Sequence, residues 1–213
     1  MSVDARFRSA FAQCPLVAIL RGVRPDEVEG VGEALAEAGF TLIEVPLNSP
    51  DPFDSIGRLA RQLEGTAMVG AGTVTDPAEV AKVRDVGGEL IVSPNTDVSV
   101  IAGTVNAGLI SMPGYFTPSE AFAAARAGAH ALKLFPAEAA SPKVLKAQRA
   151  VLPPTLPVLV VGGVTPEGMD PWRAAGAAGF GIGSALYAPG VTPAEIRERA
   201  TRFVAAASAE GAS

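Results

Sequence analysis

Residues 16–39, LVAILRGVRPDEVEGVGEALAEAG, decide the fold. The apolar run Leu16 to Leu20 reads as a short buried strand. A charged turn follows, and Pro25-Asp26-Glu27 then opens an Ala-rich stretch of helical spacing that stops at Gly39. A strand that passes through a short turn into a helix is one βα unit. The turn, Leu20 to Glu27, reads LRGVRPDE and lacks the GxGxxG of a dinucleotide-binding sheet, so an open doubly wound sheet is the second choice.

The same unit recurs along the chain. Further short apolar runs lie at Thr41 to Leu47, Ala67 to Val69, Leu90 to Ser93, Leu109 to Met112, Ala131 to Phe135, Pro157 to Val161 and Phe180 to Gly183. Helix starts are marked at Asp76-Pro77, Thr117-Pro118-Ser119-Glu120 and Thr165-Pro166-Glu167, and stops at Gly87, Gly128 and Gly176. Eight units of this length predict a (β/α)8 TIM barrel, an α/β fold. Residues 3 to 13 form an extra N-terminal helix packed on it. No linker, repeat or charge run divides residues 1–213, which read as one domain.

Composition narrows the partners. The chain has 213 residues, 48% of them hydrophobic, and a net charge of −5. That is ample core material without the basic footprint of a nucleic-acid binder, so the expected partner is a small molecule and not a nucleic acid. Mean hydropathy is +0.30, yet Gly, Pro or charge breaks every apolar run before a membrane-spanning length, so no membrane association is expected. The N-terminus has no signal-peptide pattern, and the expected location is cytoplasmic. One cysteine, Cys14, and one histidine, His130, leave no disulfide and no zinc cluster of His and Cys, so neither metal nor cofactor is expected. Both residues, like Trp172, are expected to be structural.

In a barrel, reactive groups belong at the C-terminal ends of strands. Lys133, in Ala-Leu-Lys-Leu-Phe-Pro, shares a strand face with Ala131 and Phe135 while Leu132 and Leu134 take the other. If the leucines face the helices, the lysine points into the barrel, where desolvation favours a neutral, nucleophilic amine. The alternative is a strand-end lysine or half of a structural ion pair. Glu44, in Leu-Ile-Glu-Val-Pro, repeats the pattern and suits proton transfer, or a structural pairing with the lysine. Arg21, always charged, suits binding of a substrate anion. Gly162-Gly163 and Gly183-Ser184 close the seventh and eighth runs, where backbone N–H groups often bind phosphate, and Val161 directly precedes the first pair. Thr73 and Pro94 close the third and fourth runs and complete the set of candidate substrate-binding residues.

A lysine, a glutamate, an arginine and a phosphate loop without metal ligands suit imine formation with a keto acid followed by C–C cleavage. The segments VAILRG, LIEVPLNSP, VGAGTV, IVSPN, ALKLFPAE, VVGGVTPE and GIGSALY closely resemble the family of 2-keto-3-deoxy-6-phosphogluconate (KDPG) and 4-hydroxy-2-oxoglutarate (KHG) aldolases. They are most similar to its branch acting on 2-dehydro-3-deoxy-6-phosphogalactonate. The resemblance runs from about residue 15 to about 190. It implies a class I aldolase that yields pyruvate and glyceraldehyde 3-phosphate from a phosphorylated keto-deoxy sugar acid, and it implies a homotrimer. By the same resemblance, Lys133 matches the Schiff-base lysine and Glu44 the general acid/base. Arg21 and Thr73 match the keto-acid end, and Gly162, Gly163 and Ser184 the phosphate site.

Two departures separate the branches. The gluconate branch usually has an arginine four residues after the glutamate, where this chain has Asn48, and a threonine where this chain has Val161. Both resemble the galactonate branch, and Asn48 leaves Arg21 as the carboxylate clamp. The rival readings are an aldolase for the gluco-epimer or for both epimers, a phosphosugar isomerase or epimerase, and a non-catalytic phosphosugar-binding barrel.

Overall fold

The computed structural model describes residues 2–208. It is a TIM-like barrel of parallel strands ringed by helices. The strands are β1 (Leu16–Ile19), β2 (Leu42–Pro46), β3 (Met68–Gly72), β4 (Leu90–Val92), β5 (Ile110–Met112), β6 (Gly114–Tyr115), β7 (Leu132–Leu134), β8 (Val158–Val161) and β9 (Gly179–Ile182). They are hydrogen-bonded in the order β5-β4-β3-β2-β1-β9-β8-β7-β6. The two ends of that series, β5 and β6, are successive pieces of one stave. Pro113 lies between them, and the chain itself closes the barrel there, β5 pairing with β4 and β6 with β7. The eight expected runs are therefore eight staves, the fifth broken by its proline.

Alternation along the staves sorts side chains into two cores. Val17, Ile19, Leu42, Leu90, Val92, Ile110, Met112, Ala131, Leu159 and Val161 fill the interior. Their neighbours Leu16, Ala18, Ile43, Val45, Ile91, Leu132, Leu134, Val158 and Val160 face the helical layer. The N-terminal helix α1 (Val3–Gln13) lies against the barrel, and its Phe7, only 4% exposed, joins the interior cluster as a plug. Thr41 at the base of β2 ties it down by donating from Oγ1 to the carbonyl of Ala10 at 2.8 Å.

The outer ring includes α2 (Val28–Glu37), α4 (Ala78–Asp85) and α8 (Met169–Ala174), and four further helices carry start signals like those read from sequence. Pro stands at the start of α3 (Pro52–Gln62), α7 (Pro142–Arg149) and α9 (Pro193–Ser208), and Asp97 caps α5 (Val98–Asn106) through the amides of Ser99 and Val100. The expected start at Thr117 is a full capping box with Glu120, opening α6 (Pro118–Arg126). His130 sits at the base of the barrel, accepting at Nδ1 from the Ser111 amide (3.0 Å) with Nε2 3.0 Å from Asp4. Cys14 is buried, and Trp172 packs against the outer core. All three are structural. No helix among the described residues is long and apolar enough to cross a membrane.

Candidate active site

The interior floor holds two charged side chains. Glu44 on β2 is 1% exposed and Lys133 on β7 is 7% exposed. Their staves, the second and the sixth, stand on opposite sides of the barrel, so both side chains project into the same space. As read from the alternation, the leucines beside Lys133 face the helices and the lysine faces in. Neither group forms an ion pair or hydrogen bond among the described residues, and Glu44 Oε2 is buried with no partner at all.

A glycine on the neighbouring stave makes room for the Glu44 carboxyl. Gly72, at the end of β3, faces Glu44, and a β-carbon there would overlap both carboxylate oxygens. Gly181 on β9 plays the same part opposite Val161, where a β-carbon would come within 2.8 Å of the valine Cγ2. The lysine nitrogen lies 4.6 Å over the centre of the Phe135 ring, a contact that favours a cation without supplying a counter-ion.

Burial sets the acid–base character of both groups. Desolvation raises the Glu44 carboxyl to about 7, against the opposing pull of the Lys133 and Arg21 charges. Desolvation likewise lowers Lys133, with Arg21 adding to that effect and Glu44 opposing it. Each group is thus driven toward its neutral form. A small cavity of about 10 Å³ touches both, close to the minimum that holds one water.

Above this floor opens a cleft of about 720 Å³. Lys133, Arg21, Val161, Gly162, Gly163, Gly183 and Ser184 all line it, so the structure gathers most of the residues singled out from sequence. Gly162 and Gly163 hold φ of +117° and +62°, which glycine alone adopts without strain. The amides of Gly162, Gly163 and Ser184 donate to no acceptor among the described residues. Turned toward a cleft, such free N–H groups suit an oxyanion. Thr73 and Pro94 line neither the cleft nor the small cavity, and stand on the rim above β3 and β4. Thr73 nonetheless carries a φ of +57°, an outlier for a β-branched residue and a mark of local constraint.

Arg21 is held in place. Its Nη1 donates to Asn48 Oδ1 at 2.7 Å, and the next amide, Gly22 N–H, donates to Ser49 Oγ at 2.9 Å. The loop after β2 therefore braces the loop after β1. Among the described residues no three His, Cys, Asp or Glu side chains cluster as metal ligands would. Reasoning from sequence missed Gly72, Phe135, the bracing role of Asn48 and Ser49, and Glu138, whose side chain lies along Gly162 and Gly163. The one available signal was the G-A-G run, Gly70 to Gly72, which places two inward glycines beside the stave of Glu44.

Comparison with known proteins shows what the whole chain is similar to. Residues 7–200 match the family described as "Aldolase: KDPG and KHG aldolase". A "Probable 2-dehydro-3-deoxy-6-phosphogalactonate aldolase" of Rhizobium meliloti (strain 1021) is 50% identical over 90% of this chain and 91% of its own. The "2-dehydro-3-deoxy-6-phosphogalactonate aldolase" of Escherichia coli (strain K12) is 45% identical over 90% of this chain and 94% of its own. A solved structure described as "Native KDPGal structure" superposes with a TM-score of 0.90 at 44% identity, covering 91% of this chain and 94% of the other.

Proposed function

This chain belongs to the KDPG and KHG aldolase family, and we propose that its Lys133 and Glu44 carry out the class I cleavage of 2-dehydro-3-deoxy-6-phosphogalactonate to pyruvate and glyceraldehyde 3-phosphate. The observation that carries the assignment is a buried lysine without a counter-ion, facing a buried carboxyl without a partner beneath a cleft that ends in free backbone amides.

Lys133 is lowered by burial, so a neutral amine is accessible to attack the C2 ketone. The Glu44 carboxyl gives its proton to the departing hydroxyl, so that water leaves and a protonated imine remains, an electron sink conjugated to the breaking bond. The C3–C4 electrons flow into it as glyceraldehyde 3-phosphate departs, leaving an enamine. A carboxyl near pH 7 both accepts and donates protons there, which fits Glu44. Through one water in the cavity it shares with Lys133, Glu44 takes the C4 hydroxyl proton and then returns a proton to C3 of the enamine. Hydrolysis of the imine releases pyruvate and the lysine.

The cleft supplies the remote contacts. Arg21, braced by Asn48, takes the substrate carboxylate. Gly162, Gly163 and the Gly183-Ser184 turn take the phosphate, and Val161 borders the space between the two ends. Binding energy at both ends fixes C4 over the base. Thr73 and Pro94 act from the rim. The working assembly is a homotrimer. That reading is supported by Val98, Val105, Phe116, Val144 and Val151, exposed apolar residues confined to the α5 to α7 side of the barrel. A single unbridged cysteine suits the cytoplasm as the place of reaction.

Pyruvate release from the galacto-configured substrate, followed by coupled reduction to lactate in the presence of EDTA, tests this function. Sustained turnover is expected. Loss of activity with EDTA, restored by a divalent metal, would replace the imine mechanism with a metal-dependent one.

A further inference from the structure

The phosphate loop is not bare. Glu138, which follows β7 in Phe-Pro-Ala-Glu, lays its side chain along both glycines of the β8 loop. A β-carbon at Gly162 would overlap Glu138 Oε2, and one at Gly163 would come within 2.9 Å of Glu138 Cγ. The glycines are thus needed for close approach of this side chain as well as for their own left-handed backbone. Glu138 lines the same cleft as Lys133, Gly162, Gly163 and Ser184. Among the described residues its carboxylate has no hydrogen bond and no ion pair, and the residue is exposed. A carboxylate therefore lies against a loop built for an anion, accepting nothing from its amides and held there by little else.

Resting on the reading of this loop as the phosphate site, we propose that Glu138 is an internal competitor for it, an anion that lies against the diglycine loop until the substrate phosphate displaces it. The chemistry argues for displacement over coexistence. A carboxylate and a phosphate beside one pair of glycines repel each other, and the Glu138 side chain fills the space against both glycines that an incoming phosphate would approach. Solvent lies on the open side of Glu138, so the side chain can swing outward by rotation about its own bonds with no buried contact to break. The consequence is selectivity. A ligand must bring enough negative charge to evict the carboxylate, which a phosphate dianion does and a neutral sugar terminus does not. The occupied state also lowers apparent affinity by the fraction of molecules with the loop free.

Replacement of Glu138 separates this role from a structural one. Titration calorimetry with inorganic phosphate is compared for the wild-type protein, Glu138→Gln and Glu138→Ala, with circular dichroism confirming that each variant folds. If the carboxylate is seated in about nine molecules of ten, both substitutions tighten phosphate binding by up to ~10-fold and lower KM for the phosphorylated substrate by a similar factor. Gln, with the same shape and no charge, should achieve most of the gain. Weaker binding in both variants would overturn the proposal and make Glu138 a support of the loop, and unchanged binding would overturn it as well. The underlying reading fails differently. In that case phosphate binds none of the three proteins, and Gly163→Ala leaves the substrate KM unchanged.

Discussion

Glu44 and Gly72 occupy neighbouring staves, with the Glu44 carboxyl lying in the space that a β-carbon at position 72 would fill. A glycine there is what lets an acid stand in the barrel wall without being pushed toward solvent. Gly72→Ala should force the carboxyl out of its slot. We expect a loss of 100-fold or more in C3 proton exchange on pyruvate, the order of effect from removing a general acid/base, in a protein that still folds (~100- to 10,000-fold). Exchange at the wild-type rate in Gly72→Ala would show that the slot does not matter.

The raised Glu44 also predicts how stability changes with pH. The folded protein holds this proton up to about pH 7, whereas the ordinary value in an unfolded chain is 4.5. Between those values the folded state binds more protons, so this group's contribution to stability falls as pH rises through the window and stays low above it. The span is worth on the order of 3 kcal/mol, at about 1.4 kcal/mol per pH unit. Glu44→Gln has no proton to lose. Its melting temperature relative to wild type should therefore rise by several degrees between pH 5 and pH 8, measured by calorimetry. A constant difference across that range would mean that Glu44 is not held protonated.

Asn48 is predicted to act on the keto-acid end through Arg21 alone. With the 2.7 Å brace removed in Asn48→Ala, the guanidinium samples more positions. KM for pyruvate in the exchange reaction should rise about three- to tenfold, as expected for loss of a hydrogen bond to an exposed charged group, while kcat changes little. An equal loss in kcat would place Asn48 closer to the reacting atoms.

Val161 bears on the epimer preference. It is 6% exposed, lines both the small cavity and the cleft, and lies between the lysine and the phosphate loops. A methyl here offers no hydrogen bond to the C4 hydroxyl, whereas a threonine would. Val161→Thr should shift the ratio of kcat/KM values toward the gluco-epimer. A wild-type preference for that epimer, or an unchanged ratio, would remove Val161 from the specificity argument.

Much of this architecture could be read from the chain. Period-two alternation is local, so it placed Lys133 and Glu44 on inward faces from their immediate neighbours. The strand-end glycines were visible for the same reason. What could not be read depends on register between strands far apart in sequence. Gly72 matters because β3 pairs with β2 so that its inward glycine meets the Glu44 carboxyl, and Glu138 matters because its loop folds over that of Gly162. The break of the fifth stave at Pro113 was hidden because Leu109 to Met112 reads as an ordinary strand, and only the pairing of β6 with β7 shows that the stave continues. Thr73 and Pro94 were placed by their position after a strand, which puts a residue on the rim without saying whether it reaches the cleft.

The most direct test of the account is covalent capture at Lys133. Incubation with pyruvate and borohydride, followed by intact and peptide mass measurement, should add one reduced pyruvyl group on the peptide that carries Lys133 and none in Lys133→Ala, which should also lose cleavage. The same adduct on Lys143 or Lys146, or no adduct on a protein that still turns over substrate, would contradict it.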